Sequence, residues 1–315
     1  MPRCAQLPDG LHGASFTRAE AFRQGVTRRR LERVDVARPF HGIYANGVDL
    51  SDLAERCLAL QHVFRKEHWV SHVTAARRWG MPLPYPESPS EPVHVIALGS
   101  HRRLRRGGVV EWETDDAALP RTMLGLTPII SPADVWAQLS MPGALGPHPP
   151  MSPEWLVAVG DFILSGPRAV PRRPLATLAE LEAALARRQG KRGVKALRWA
   201  LERVRSPVDS PPETFLRLGL MEHGLPEPEV QPVVRTSAGD RHADLGFLEA
   251  RLLLEYQGDG HRTSRSQWRE DLTRTQLFED AGYRVIAVTA DDLGSGLRAL
   301  AQRVRRALAG ARFAP

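Results

Sequence analysis

Two apolar segments near the C-terminal end, residues 243–248 and 251–256, constrain the fold of this chain more than any other feature. Each has the length and apolar content of a buried β-strand, so the sequence predicts two successive strands joined by a tight turn. Asp244 lies in the first segment and Glu255 in the second. Because a buried carboxylate is costly unless a cation or a donor meets it, these two acids mark a candidate site.

A divalent cation is the partner that best fits these two acids. Ions such as Mg²⁺ or Mn²⁺ bind carboxylate oxygens and keep open positions for phosphate and water. Gln257 follows Glu255 by two residues, which places it on the same face of the strand, where a polar side chain can orient a water molecule. The sequence therefore predicts a metal-dependent phosphodiesterase site with Asp244 and Glu255 as metal ligands.

The pattern around these segments predicts an α/β domain over residues 206–315. Its first helix begins at Ser210, a capping residue, with two prolines in the first turn and Glu213 three positions later. The predicted elements are a helix over 211–223, strands over 229–235, 243–248 and 251–256, a helix over 266–281, a strand over 283–288 and a helix over 297–308. This order is typical of a domain built on a mixed sheet.

The first 50 residues have the pattern of a helix-turn-helix followed by a hairpin wing. Thr17, with Glu20 three residues later, and Thr27 are capping residues that begin two short helices around a Gly-centred turn. Residues 37–47 are rich in extended and turn-forming residues, as a wing requires. Residues 1–50 are therefore predicted to form a winged helix-turn-helix that binds DNA. The arginines expected to contact DNA here are Arg18, Arg28, Arg29 and Arg30.

Residues 51–205 are predicted to form an α+β middle domain, which makes three domains in the chain. Residues 142–153 are rich in proline and glycine and are expected to form a loop or linker. The elements expected in this domain are helices over 51–72, 178–189 and 194–205 and strands over 93–98 and 108–113.

The distribution of charge favours a polyanionic partner. The chain carries a net charge of +7, whereas residues 206–315 carry 14 arginines against 16 acidic residues, so the positive excess lies in residues 1–205. DNA is therefore the expected partner of the front part of the chain.

The sequence also indicates a protein of the reduced cytoplasm. Cys4 and Cys57 have no neighbouring His or Cys at zinc spacing, so we expect free thiols. No segment approaches the roughly 18–20 apolar residues of a membrane span, and no membrane partner is expected. The oligomeric state is left open.

The motifs of residues 206–312 resemble those of a known nuclease family. They are Ser210-Pro-Pro-Glu213, Gly224-Leu-Pro226 with Gln231, Asp244, Glu255-Tyr-Gln257-Gly258, His261 and Trp268-Arg-Glu-Asp271-Leu-Thr-Arg274. In order and spacing they resemble the very-short-patch-repair-like endonuclease domain of the restriction-endonuclease superfamily.

That resemblance implies roles for individual residues. Asp244 and Glu255 would bind Mg²⁺, Glu213 would be the acidic residue of the first helix, and His261 would assist near the scissile phosphate. The superfamily often has Lys two residues after its second acid, whereas this chain has Gln257. Water activation is therefore less firmly implied than metal binding.

The sequence allows two interpretations of Arg274. It follows Asp271 by three residues in the predicted helix over 266–281. The two side chains can form a surface ion pair, or Arg274 can contact a DNA phosphate.

Motifs in residues 10–205 show a second, looser resemblance. They are Phe16-Thr-Arg, Gly25-Val-Thr-Arg-Arg-Arg-Leu, Phe40-His-Gly-Ile-Tyr-Ala, Ser71-His-Val-Thr-Ala-Ala-Arg-Arg-Trp-Gly-Met-Pro and Gly125-Leu-Thr-Pro-Ile-Ile-Ser-Pro-Ala-Asp134. They are similar to the AbiEi-type antitoxins of type IV toxin–antitoxin systems, whose N-terminal winged helix binds DNA. Such proteins are often transcriptional repressors, and a toxin partner is left open.

Three functions follow from these patterns. The leading hypothesis is a DNA-binding protein with a Mg²⁺-dependent or Mn²⁺-dependent endonuclease domain. The alternative is a non-catalytic antitoxin-like regulator whose nuclease fold only binds DNA or a partner protein, which Gln257 would permit. A nuclease directed at RNA is the third.

Overall fold

The structure, a computed structural model, describes residues 6–99, 104–169, 171–258 and 265–311, with the side chains of 265–272 and 311 left out. The chain divides into two compact units. One comprises Met1–Met151 with Ala179–Leu197, and the other comprises Ser152–Leu178 with Arg198–Pro315. The fold is mixed α/β, as the sequence predicts.

The first unit begins with two short helices and a small antiparallel sheet. These elements are β1 (Ala14–Thr17), α1 (Arg18–Arg23), α2 (Arg28–Leu31), β2 (Ala37–Phe40) and β3 (Ile43–Asn46), with strand order β1-β3-β2. Thr17 and Glu20 form the predicted capping box at the start of α1, and Thr27 caps α2. The predicted helix starts and the hairpin over 37–47 are therefore confirmed.

A five-stranded sheet in the order β6-β5-β4-β8-β7 forms the rest of the first unit with its helices. Their bounds, in chain order, are α3 (Leu53–Gln61), β4 (His68–Val70), α4 (His72–Arg78), β5 (Val93–Leu98), β6 (Val109–Thr114), β7 (Arg121–Leu124), β8 (Thr127–Ile130), α5 (Pro132–Leu139), α7 (Leu178–Arg187) and α8 (Val194–Leu201). Helix α6 (Pro153–Ser165) lies between α5 and α7 in the chain and belongs to the second unit. Helix α8 begins in this unit and ends in the second.

The predicted helix over 51–72 is wrong beyond Gln61. The segment His68–Val70 is strand β4, which lies between β5 and β8. All three of its residues are buried, because a central strand is covered on both faces and needs no polar alternation. The predicted helix over 194–205 likewise ends early, at Leu201.

The second unit is built on a four-stranded mixed sheet in the order β14-β13-β12-β9. The elements of this unit that follow α6 are α9 (Pro211–Glu222), β9 (Glu229–Val230), β10 (Val233–Thr236), β11 (Gly239–His242), β12 (Leu245–Phe247), β13 (Leu252–Tyr256), α10 (Arg265–Asp280), β14 (Arg284–Val288), α11 (Ala290–Leu293) and α12 (Leu297–Ala311). Strands β13 and β14 are parallel, and the other pairs of this sheet are antiparallel.

The predicted strand over 229–235 is divided into β9 and β10. Gln231 adopts a left-handed backbone conformation with φ 47°, and Pro232 follows it. Proline cannot donate a ladder hydrogen bond, so the chain leaves the main sheet here. Strand β10 pairs instead with β11, which the sequence pattern does not predict.

Helix α6 explains why the two units differ from the predicted division into domains 1–50, 51–205 and 206–315. This helix precedes residue 205 but packs on α9 in the second unit. Trp155 contacts Phe215 edge to face, with ring centroids 4.9 Å apart. Arg217 of α9 donates a hydrogen bond to Asp161 of α6 over 3.1 Å, and both side chains are fully buried. These contacts attach α6 to α9 in the second unit.

No helix in the described ranges is both long enough and apolar enough to span a membrane.

Candidate functional site

The hairpin of β12 and β13 brings the two acids together. Leu245 is paired with Leu254, so Asp244 and Glu255 lie at the next position of the antiparallel register. The backbone N–H of Asp244 donates to Glu255 Oε1 over 3.0 Å, and the backbone N–H of Tyr256 donates to Asp244 Oδ2 over 2.7 Å. Each carboxylate is thus held by the backbone of the other strand, and the predicted convergence is confirmed.

Glu213 is fixed in the first turn of α9 by three donors. Its Oε1 accepts from the Ser210 hydroxyl over 2.8 Å. Its Oε2 accepts from the Asp209 backbone N–H over 3.1 Å and from Gln231 Nε2 over 2.8 Å. Since Glu213 is 5% exposed, these hydrogen bonds satisfy a carboxylate that would otherwise be buried at high cost.

One cavity of about 230 Å³ joins these groups. Its lining includes the predicted site residues Glu213, Asp244, Glu255, Gln257 and Arg274. Four of the five predicted catalytic residues therefore share one space. The fifth, His261, lies outside the described residues, as does the side chain of Asp271.

Arg274 of α10 lies against the two acids. Its Nε is 3.1 Å from Glu255 Oε2, and its Nη2 is 3.6 Å from Asp244 Oδ1. The Arg274 side chain is 31% exposed, so this contact is partly shielded from solvent. The structure thus assigns Arg274 to the acids of the cavity.

Burial and mutual repulsion perturb the acids of this cavity. Burial raises the pKa of Glu255 to about 8, and the charge of Asp244 adds to this shift, although Arg274 opposes it. Burial, with the charge of Asp244, also raises the pKa of Glu213 to about 7. Both glutamates therefore hold a proton more strongly than an ordinary carboxyl group does, and a cation that bound to them would displace this proton.

The donor set fits a hard divalent cation at Asp244 and Glu255. Carboxylate oxygens are the ligands that Mg²⁺ and Mn²⁺ prefer. Across the described side chains, no three His, Cys, Asp or Glu residues are arranged as a metal-holding group. Both oxygens of Glu213 already accept hydrogen bonds, and Arg274 contacts both strand acids, so a cation would compete with this arginine.

Arg168 and Asp209 line this cavity and have no role in the sequence-based prediction. Arg168 follows α6 and its Nε lies 3.5 Å from Asp209 Oδ2; Arg172 pairs with the same carboxylate. The guanidinium of Arg168 is 74% exposed and contributes positive charge at the cavity. No local motif marks Arg168, because its placement depends on the packing of α6.

Four of the five arginines predicted to contact DNA lie at the start of the first unit; the fifth is Arg274 of the second unit. Arg28 and Arg29 are exposed on α2, and Arg28 pairs with Glu32 at 3.2 Å. Arg30 forms two hydrogen bonds with the Asp35 carboxylate, at 2.9 and 2.6 Å. Arg18 is exposed on α1. Arg18, Arg28 and Arg29 are therefore the exposed members of this group, and Arg30 is partly buried.

Similar sequences occur in Mycobacterium tuberculosis. The uncharacterized proteins MT2308, of strain CDC 1551, and Rv2248, of strain H37Rv, are each 28% identical to this chain over 297 residues. The similarity covers 92% of this chain and 100% of each relative, so it includes both units. No family model matches the chain, and no solved structure matches it.

Proposed function

We propose that the second unit is a divalent-metal-dependent DNA endonuclease domain of the restriction-endonuclease-like type. The observation that carries this proposal is the convergence of Asp244 and Glu255 at one end of the β12–β13 hairpin, beside Glu213 and Gln257 in one cavity. Acids held at the end of a hairpin next to a polar side chain are suited to phosphodiester hydrolysis.

Asp244 and Glu255 are the residues that would hold the cation. A divalent ion bound there supplies neutralisation of phosphate charge and a lowered pKa for a bound water molecule. Gln257 lines the same cavity, and its amide can donate to and accept from a water molecule that it orients. Arg168 adds a guanidinium that can pair with a phosphate oxygen.

In this proposal Glu213 fixes the position of neighbouring residues through its hydrogen bonds. Its carboxylate accepts from Ser210 and from Gln231, which fixes the first turn of α9 against the segment between β9 and β10. That segment contacts Asp244, whose carbonyl oxygen accepts from the Gln231 backbone N–H over 3.0 Å. Glu213 therefore positions the strand acid and adds negative charge to the cavity.

The start of the first unit is proposed to bind DNA as a winged helix. Two capped helices, the antiparallel hairpin of β2 and β3 and the exposed Arg28 and Arg29 support this proposal. The positive excess of residues 1–205 would attract DNA over a longer range, in a salt-dependent way.

A non-catalytic regulator is the second candidate, and two observations favour it. Arg274 contacts both acids, and Gln257 stands where a lysine is common in the resembled superfamily. In this case the second unit would bind DNA or a partner protein, such as a toxin, without cutting nucleic acid.

A cleavage assay on the full chain separates the two candidates. Duplex, nicked, mismatched and single-stranded DNA and a parallel RNA are incubated with Mg²⁺, with Mn²⁺ and with a chelator. The nuclease proposal predicts metal-dependent cleavage of DNA that Asp244→Ala and Glu255→Ala abolish. Asp240→Ala, in the exposed strand β11, is the matched control and should cut normally. Equal cleavage by all variants would refute the assigned site, and salt-dependent DNA binding without cleavage would favour the regulator.

A further inference from the structure

A second cavity, of about 100 Å³, lies within the first unit and has no part in the proposed nuclease chemistry. Its lining includes His72 at the start of α4, Trp112 of β6, Gln138 of α5 and the basic residues Arg188 and Lys191 after α7. These positions are distant in sequence, so the cavity is a product of the tertiary fold.

His72 is held in this cavity in an unfavourable backbone conformation. Its φ is 51°, in the left-handed region that residues other than glycine rarely adopt. Its backbone N–H donates to Gln138 Oε1 over 2.9 Å, and its ring stacks on Trp112 with centroids 3.9 Å apart. Conformational strain of this kind persists where the surrounding contacts fix a side chain in one place.

The ring of His72 presents an unused nitrogen. The side chain is 1% exposed, and its Nε2 has no hydrogen-bond partner among the described residues. Burial lowers the pKa of His72 well below its usual range, so the ring is neutral. The Ser71 hydroxyl lies 2.9 Å from Nδ1, and in the tautomer in which this hydroxyl donates to Nδ1 the ring hydrogen lies on Nε2. Nε2–H is then a buried donor without an acceptor.

Arg188 presents a second unused donor. Its Nε is buried and has no partner in the described part of the chain, whereas its Nη2 donates to the Arg192 carbonyl over 2.9 Å. His72 and Arg188 line the same cavity, and the charge of Arg188 adds to the effects of burial and of His94 that lower the pKa of His72. Two donors of the same lining therefore lack an acceptor.

The acidic residues of the lining do not neutralise Arg188. Asp134 accepts two hydrogen bonds from Arg187, both of 2.8 Å. Asp116 accepts from the Ala118 backbone N–H over 3.0 Å, and Glu113 is exposed. Among the side chains that the structure describes, Arg188 forms no ion pair.

We propose that this cavity binds a small oxyanion, the phosphate or carboxylate group of a metabolite, between His72 Nε2 and Arg188 Nε. An oxyanion supplies acceptors to both buried donors and neutralises the guanidinium, whereas a water molecule supplies only the acceptor. The exposed Lys191 adds positive charge to the lining, and the Trp112 ring provides a flat apolar wall for the rest of the molecule.

Titration of the full chain followed by NMR of the tryptophan indole N–H groups tests this site. Sodium phosphate and sodium acetate are added separately at constant ionic strength, and Trp112→Phe identifies the signal of Trp112. We expect a saturable shift of that signal with at least one of the two anions. Saturation by phosphate alone identifies a phosphate group as the ligand, and saturation by acetate alone identifies a carboxylate.

Variants determine whether the binding depends on the two donors. Arg188→Gln is expected to weaken anion binding at least about tenfold, since hydrogen bonds between charged groups are stronger than those between neutral groups. His72→Asn removes the ring but keeps a residue type that tolerates the left-handed backbone, and it should weaken binding similarly. Lys195→Gln, exposed and outside the lining, is the matched control. The other indole signals report whether each variant is folded.

Two results would overturn the oxyanion site. One is a shift of the Trp112 signal that stays linear with both anions up to high concentration. The other is equal affinity in the wild type and in folded Arg188→Gln and His72→Asn, which would place the anion elsewhere.

Discussion

Replacing Arg274 by glutamine should destabilise the second unit in a pH-dependent way. The guanidinium lies 3.1 Å from Glu255 and 3.6 Å from Asp244, and the two carboxylate side chains are 11% and 15% exposed. Removing one partner of a fully buried pair costs about 3–5 kcal/mol. Because Arg274 is 31% exposed, solvent screens part of this interaction, and we expect a loss of about 1–2 kcal/mol at pH 8.

The sign of the pH dependence follows from Glu255. Its pKa of about 8 in the folded state exceeds its usual 4.5, so between these values the folded state binds more protons than the unfolded state. Stability therefore falls as pH rises through this window. Without Arg274 the pKa of Glu255 rises further, because that arginine opposes the shift. The destabilisation of Arg274→Gln relative to wild type should thus be smaller at pH 5 than near pH 8.

Urea unfolding at pH 5 and pH 8 measures this difference, with the signal taken from the second unit. Arg235→Gln is the matched control, because its guanidinium is 92% exposed and lies 3.9 Å from Asp240. The Arg235→Gln variant should differ from wild type by less than about 0.5 kcal/mol in its free energy of unfolding. If Arg274→Gln were as stable as the control at pH 8, or equally destabilised at both pH values, the inferred compensation of the acids by Arg274 would be wrong.

Two other substitutions each test one contact, a buried ion pair in the second unit and a helix cap in the first. Asp161→Ala removes the fully buried partner of Arg217 and leaves it Glu227, which lies 3.0 Å away and is 30% exposed, so it should cost about 1–3 kcal/mol in urea unfolding. The exposed Asp240→Ala should cost almost nothing. A loss below about 1 kcal/mol would contradict the role of that pair. Thr17→Ala removes the capping box of α1 and should cost about 1 kcal/mol in the first unit, while Thr17→Ser should restore most of it. Equal stability of both Thr17 variants would contradict this expectation.

The parts of the fold that sequence predicts correctly are those governed by local signals. The capping residues Thr17 and Thr27 and the Ser210-Pro211 start mark three observed helix beginnings. The apolar segments with Asp244 and Glu255 form the expected hairpin, because strand register is fixed by which face is buried.

The parts that sequence does not predict depend on tertiary packing. Helix α6 has its own start signal in Ser152 and Pro153, but the neighbouring Pro/Gly-rich segment favours a linker there. Arg274 reaches the acids because α10 packs on β14 and β10, and helical spacing alone does not indicate that contact. The cavity around His72 likewise requires the five-stranded sheet to bring β6 beside α4 and α5.

The central claim is that Asp244 and Glu255 form a metal-dependent site that cuts DNA. The most direct measurement is the rate of Mg²⁺-dependent DNA cleavage by the full chain and by Glu255→Gln, with DNA affinity measured in the same buffer. Glutamine keeps the shape of the side chain and removes its charge. We predict a loss of about a hundredfold or more in cleavage, as for an interaction worth several kcal/mol, with DNA affinity unchanged. Cleavage by Glu255→Gln at the wild-type rate, or DNA binding by the wild type without cleavage in Mg²⁺ or Mn²⁺, would contradict the claim.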